Sequence, residues 1–351
     1  MNVRLTYLGV ALALISVVAD AGKEDDAAIP VAPIATSDYL GWTNALNLHN
    51  DDLTVVLVPE TGRIAFIGVD PSANLLRVDS ALEGKTALAD APDFWFNFGG
   101  DWLWPTAQNR WADFQESDWP PSRLLDGRSW EARGWKSADG SQCGQLTQTY
   151  GEPLHVTVTR FVKVPKEGTS FEVRQKIQRT ANSSVPVTLW TISQIAGAEY
   201  VVIPTDEDSS FDGGLASLRF EMPGKEFLHR CDGTALYHVL EKGEHKLGSD
   251  SARSWVAAVR GDTLIVEQTT PHEEDSTYPE GGCTVQVYAN AGLGYAEIET
   301  MSPEKVLAPD EAMENILRVT CYTIPPGLDG CDLADKVREL IGELGPATDR
   351  P

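Results

Sequence analysis

Two carboxylates near the end of the chain carry the clearest chemical possibility. Glu297 and Glu299 lie in the segment Tyr295-Ala296-Glu297-Ile298-Glu299-Thr300-Met301-Ser302-Pro303. Residues two apart in a strand point to one face. Two carboxylates side by side repel, so one should hold its proton to higher pH than usual. Such a group can take up and release a proton near neutrality. The other reading of this pair is an exposed strand face. A second chemistry-bearing stretch runs from Phe94 to Pro121 and contains Trp95, Trp102, Trp104, Trp111 and Trp119, half of the chain's ten tryptophans. It also contains Gly99-Gly100, Asp101 and the Trp119-Pro120-Pro121 step. Rings this dense beside Gly-Gly and Pro-Pro are not all expected in a core. An indole has an apolar face and a polar tip, which suits a cleft wall that stacks on sugar rings. The alternative is an aromatic-pinned loop covering one end of a β structure.

The elements that must position these groups are strands. Val156, Val158, Val162 and Val164 share one face of a segment starting at His155, and Phe171, Val173, Gln175 and Ile177 share a face of the next. That period of two predicts half-buried antiparallel strands. Further strands are predicted over Leu53–Val58, Arg63–Val69, Val187–Ile195, Ser217–Glu221, Trp255–Val259, Leu264–Gln268, Thr284–Tyr288, Tyr295–Glu299 and Ile316–Thr323. Turn residues separate them. After Asp332, read as an N-cap, Leu333, Ala334, Val337, Leu340, Ile341 and Leu344 fall at helical spacing and predict a closing helix. The strands do not alternate with helices, so a doubly wound parallel sheet is disfavoured. The expected fold class is all-β: a large antiparallel sandwich with a short C-terminal helix.

The N-terminus reads as a secretory signal. Arg4 precedes an apolar run, and Ala19-Asp20-Ala21 has the small-x-small form of a cleavage site. The expected organisation is a signal peptide over 1–21, a linker over 22–38, one β domain over 39–330, and a helix and tail over 331–351. The expected location is secreted or periplasmic, with no membrane insertion after cleavage. Cys143, Cys231, Cys283, Cys321 and Cys331 all fall in the exported part, and their pairing stays open. Cys321 and Cys331 are the nearest pair in sequence and could tie the last strand to the helix. There are 52 acidic against 28 basic residues, a net charge of −24. Such a field repels nucleic acid and anionic membranes, so neither is an expected partner. Phosphate loops, HExxH and GxSxG are absent from the sequence, and no cofactor is expected. Asp206-x-Asp208-x-Ser210-x-Asp212-Gly213 has the alternating oxygens that calcium favours, but Ser217 stands where an EF-hand loop needs an acid, so a solvated acidic loop is the preferred reading and no metal is expected.

The order of several short motifs resembles the galactose mutarotase-like superfamily and, within it, the domain of unknown function numbered 4380. They are Asn44-x-x-Asn47, Pro59-Glu60-Thr61-Gly62-Arg63-Ile64, Gly68 to Asn74-Leu75-Leu76, Phe98-Gly99-Gly100-Asp101-Trp102-Leu103-Trp104-Pro105, Leu189 to Gln194, Lys246-Leu247-Gly248 and Glu297-x-Glu299-x-x-x-Pro303. The resemblance covers about residues 40–325. It implies a galactose mutarotase-like antiparallel β-supersandwich with a carbohydrate site on the concave face of one sheet. Mutarotases of this kind work with a glutamate base and a histidine acid. Glu299-Thr300-Met301 resembles the segment that carries the glutamate, while Asp101 follows the glycine pair where histidine is frequent. The resemblance makes Glu299 the expected catalytic base with Glu297 beside it, and Arg63 and Lys246 the cations for hydroxyls or a carboxylate. Trp102 and Trp104 become the stacking faces and Asp101 a hydroxyl acceptor. Arg63, with its fixed fork of donors, is expected near the glutamates, where it would set which of them stays ionised. A non-catalytic glycan-binding module and a structural envelope protein are the rival readings.

Overall fold

The computed structural model describes residues 29–87, 95–239 and 243–347. The expected signal peptide, the first residues of the expected linker, Phe94 and the last four residues lie outside them. From Pro30 the chain is already strand: Pro30–Pro33 pairs with Glu131–Ser137.

Two large antiparallel sheets pack face to face. The eleven-stranded sheet runs, edge to edge, Pro30–Pro33, Glu131–Ser137, Gln142–Tyr150, Val156–Val164, Ser170–Arg179, Ala312–Thr323, Thr263–Thr269, Trp255–Arg260, Tyr200–Pro204, Thr234–His238 and Leu228–Cys231. The ten-stranded sheet runs Ala216–Arg219, Glu244–Ser249, Val285–Asn290, Tyr295–Met301, Trp190–Ala196, Asp101–Trp104, Arg63–Gly68, Thr54–Val58, Trp42–His49 and Ser37–Tyr39. Residues of Val156–Val164 alternate buried and half-exposed, the valines falling on the buried side as their period demands, and Val162 and Val158 lie opposite Val173 and Ile177. Their buried side belongs to the main core between the sheets. The strands Trp190–Ala196 and Tyr295–Met301 are buried along most of their length, Glu297 apart, and show almost no alternation in burial.

The closing helix, Gly330–Leu344, lies on the outer face of the eleven-stranded sheet. Leu333, Ala334, Val337 and Ile341 are its buried residues, with Leu340 partly buried; Leu344 is only half-buried. The helix starts earlier than the sequence suggested, with Asp329 at the N-cap position and Asp332 in the first turn. Cys331 is disulfide-bonded to Cys231 on the edge strand, whereas Cys321 is a buried free thiol, so the nearest pair in sequence is not the bonded pair. Val337 is 0% exposed. Replacing it with aspartate is expected to cost roughly 3 kcal/mol or more, the lost burial plus an unpaired charge. An unchanged urea midpoint would show that the helix does not depend on this contact.

Candidate functional site

Register decides which side chains share a face. On the ten-stranded sheet Gln194 lies opposite Glu297, Ile192 opposite Glu299, and Trp190 and Ile192 opposite Trp104 and Trp102. On the other side Tyr288 and Gln286 flank Glu297 and Glu299, and Lys246 lies opposite Tyr288. Cross-strand partners project to one side. Thr191, the alternate residue, bonds Gln175 of the eleven-stranded sheet, which makes its side the inner one. Glu297, Glu299, Lys246, Trp190, Gln194, Trp102 and Trp104 therefore share the outer face.

Glu299 is held firmly. It is 0% exposed, accepts 2.8 Å from Trp190 Nε1, and is paired with Lys246 Nζ at 3.1 and 3.2 Å. The Lys246 ammonium also lies 4.9 Å from the Trp190 ring centroid. Glu297 is half-exposed and accepts 2.8 Å from Gln194 Nε2. Desolvation and then the neighbouring Glu299 charge push its pKa up to about 7, against the pull of Lys246, the Gln194 bond and Arg77. The two carboxylates are unequally held: Glu299 is ion-paired with Lys246, while Glu297 takes its hydrogen bond from Gln194. Arg63 lies elsewhere: it pairs with Asp126 at 2.8 Å and stacks over Trp102 at 4.3 Å. Glu297 is the carboxylate that solvent reaches, and Glu299 is the anchor beneath.

Around Glu297 the polar groups form a connected set. Gln194 Nε2 also donates to Asn97 Oδ1 at 3.0 Å, and its Oε1 accepts from Arg77 Nη1 at 2.9 Å. Arg77 pairs with Asp79 and lies 5.0 Å from the Tyr295 ring centroid. Asn97 Nδ2 donates to the Tyr295 hydroxyl, and Tyr288 donates to Glu244 at 2.7 Å. The glycine pair explains how Arg77 gets there. Gly99 has φ +79, and a Cβ on it would sit 2.1 Å from the Arg77 carbonyl oxygen. Gly100 N donates to the same oxygen at 2.7 Å. Only glycine allows that approach and that backbone angle. Arg77, Asn97, Gln194, Tyr288 and Tyr295 were not among the residues expected from sequence. Gln194 had a usable signal, since Trp190, Ile192 and Gln194 alternate within a segment already singled out.

Three expected site residues are placed differently. Asp101 faces inward, paired with Arg160 at 2.5 Å and accepting from Ser193 at 3.1 Å, so it is not on the face of Glu297. Trp102 and Trp104 do share the face of Glu299, but they are only 2% and 3% exposed. Trp104 makes edge contacts with Trp102, Trp111 and Trp190 at 5.0 to 5.4 Å between centroids. The dense aromatic stretch is one strand, Asp101–Trp104, followed by a covering segment whose Trp111 is buried on Trp190. The six histidines are all described, and none hydrogen-bonds, pairs or stacks with Glu297, Glu299 or Lys246 in the contacts seen. Among the described residues no group of three metal-ligating side chains occurs. In the loop over 206–213, Asp206 pairs with Arg253, and the Ser209 and Ser210 hydroxyls donate to Asp250.

No protein-family profile matches the chain, and no curated protein matches it. Solved structures do. The Slr1438 protein from Synechocystis sp. PCC 6803 superposes with a TM-score of 0.56 at 14% identity, over 84% of this chain and 99% of that one. A provisionally named aldose 1-epimerase from Klebsiella pneumoniae gives 0.53 at 12% identity, over 86% and 84%. Another provisionally named aldose 1-epimerase, from Escherichia coli, gives 0.50 at 11%, over 80% and 99%. At such identities the likeness is one of architecture. The chain has the galactose mutarotase-like β-sandwich fold.

Proposed function

We propose that this is an exported saccharide-binding protein whose site is the outer polar face around Glu297, Gln194 and Arg77. Glu297 serves as its proton-exchanging carboxylate, and Glu299, tied to Lys246, as its fixed anion. The observation that carries this reading is the unequal pair: one buried carboxylate bonded on both oxygens, the other within reach of solvent with its pKa pushed up to about 7 by burial and its charged neighbour. The reaction it suits is ring opening at a sugar's anomeric centre: Glu297 takes the C1 hydroxyl proton, C1=O forms as the C1–O5 bond breaks, and the ring oxygen takes its proton from water. Beside it the partly exposed Arg77, Asn97 and Tyr288 present guanidinium, amide and phenol groups for further hydroxyls, with the buried Gln194 fixing Glu297 and Arg77 in place. The signal-like N-terminus and the Cys231–Cys331 bond support an oxidising compartment outside the cytoplasm. Among the described residues no helix is long and apolar enough to cross a membrane. The motif order supports a place beside the domain of unknown function numbered 4380.

A second reading, glycan binding without catalysis, is favoured by one observation: no histidine contacts the Glu297 cluster in the position of a partner acid. Anomer interconversion followed by NMR, with a panel of aldoses, separates the two. In the enzymatic case the rate should rise with a midpoint near pH 7 and collapse in Glu297→Gln, while saccharide affinity stays within about threefold, since the amide keeps the site's shape. Saccharide binding without any acceleration selects the second reading. Absence of saccharide binding in the unaltered protein removes both.

A further inference from the structure

Trp119 alone among the described tryptophans is exposed, at 45%. Its ring lies nearly parallel to Trp111, with 16° between planes and 6.2 Å between centroids, and meets the edge of Trp95 at 4.8 Å. The indole is thus packed against two other rings while much of the residue stays open to solvent. The backbone that presents it is fixed by local bonds. Gln115 bridges Pro120 O at 3.1 Å and Ser122 N at 3.0 Å, Ser117 Oγ donates to Trp119 O at 2.8 Å, and Gln108 donates to Asp118 O at 3.0 Å. Next to the ring, Asp118 reaches across to Arg219 at 2.9 Å, both of them partly open to solvent. Arg219 is the register partner of Lys246. Trp119 therefore stands at the rim of the face that carries the glutamate pair, separated from Glu299 by Trp111 and Trp190.

From this placement we infer a second sugar subsite at Trp119, which makes the ligand an oligosaccharide chain rather than a free monosaccharide. The inference rests on the saccharide reading above and deepens it. A rigid, backed indole matches the apolar C–H face of a pyranose, and a carboxylate and guanidinium at its edge match the hydroxyls around that ring. A protein partner would favour contiguous apolar surface at the centre of its contact, with charge excluded. Here the ring is bordered by an ion pair.

The test is calorimetric titration of the full chain with two neutral series, galactose to galactotetraose and glucose to cellotetraose. Trp119→Ala and Trp119→Phe are run alongside, with light scattering on each. In the series that binds, the trisaccharide should bind about tenfold more tightly than the monosaccharide. Trp119→Ala should lose about that tenfold for the trisaccharide and less than twofold for the monosaccharide, the size expected of one aromatic contact. Trp119→Phe, which keeps a ring, should recover most of the loss. Saccharide quenching of tryptophan fluorescence in the unaltered protein should likewise grow with chain length. Equal affinity along the series, or an unchanged trisaccharide affinity in Trp119→Ala, overturns the subsite while leaving the saccharide reading standing. No binding of any length overturns that reading and the subsite with it. A change of oligomeric state in Trp119→Ala with saccharide affinity untouched makes the ring a self-association contact, and overturns the subsite too.

Discussion

Lys246→Met is expected to destabilise the protein by about 3–5 kcal/mol at neutral pH, the cost of leaving one member of a buried ion pair without its partner. Glu299 is wholly buried, and among its described partners Lys246 is the single cation, with Trp190 Nε1 the other donor. Methionine keeps most of the lysine stem that packs beside Trp190 and removes the charge. The loss should therefore come from electrostatics and not from a cavity. The double variant Lys246→Met/Glu299→Gln removes both charges and keeps a hydrogen-bond acceptor for Trp190. It should recover at least half of the stability lost in the single variant, a coupling that a double-mutant cycle reads directly. A single-variant cost below about 1 kcal/mol, or a double variant no better than the single one, would show that the pair does not anchor this face. The same cycle bears on function. With Lys246 gone, the charge that pulls the Glu297 pKa down is lost, so any Glu297-dependent pH midpoint should move up from about 7.

That coupling was legible in sequence only in part. The two glutamates are two apart in one strand, and the spacing alone places them on one face. Their cation is another matter. Lys246 lies 53 positions from Glu299 along the chain, in Glu244–Ser249, a short strand with a glycine and mostly polar residues. No period-two alternation marks that strand, although Lys246-Leu247-Gly248 stood among the resembling motifs, and its place in the sheet comes from pairing with Val285–Asn290. Arg63 was the natural candidate because it follows a turn, yet Asp126, in the covering segment, draws it away. The aromatic stretch misled for a similar reason. Asp101–Trp104 looked too rich in rings to bury, but Trp190, from a distant strand, and Trp111, from the segment that folds back over it, both pack on Trp104. Where one face of a strand meets solvent, as in Val156–Val164, the alternation was direct. Asp101 illustrates the limit: its neighbours in sequence do not say which sheet face it occupies, and Arg160 on the opposite sheet decides it.

Asp101 shares that interior with a second carboxyl, and the pair gives the other large expected effect. Glu267 sits wholly buried in Thr263–Thr269, with neither oxygen hydrogen-bonded. Asp101 takes the Arg160 guanidinium and the Ser193 hydroxyl, so one cation faces two carboxyls. Desolvation first, and the Asp101 charge second, push the Glu267 pKa up to about 8, against the Arg160 charge. The folded protein thus keeps a proton on Glu267 that the unfolded chain releases near pH 4.5. Between those two values the folded state binds more protons than the unfolded state, so stability must fall as pH rises, and the fall is complete above pH 8. A separation of that size corresponds to something on the order of 5 kcal/mol. Glu267→Gln carries a neutral amide of nearly the same shape and has no proton to lose. At pH 5 it should match the unaltered protein within about 1 kcal/mol, and the difference should grow in favour of the variant up to pH 9. Comparing the two chains at each pH cancels contributions common to both, including that of the half-exposed Glu297. Urea unfolding at pH 5, 7 and 9 measures the difference. A gap that stays constant across that range would mean that Glu267 is not the buried proton carrier of this core.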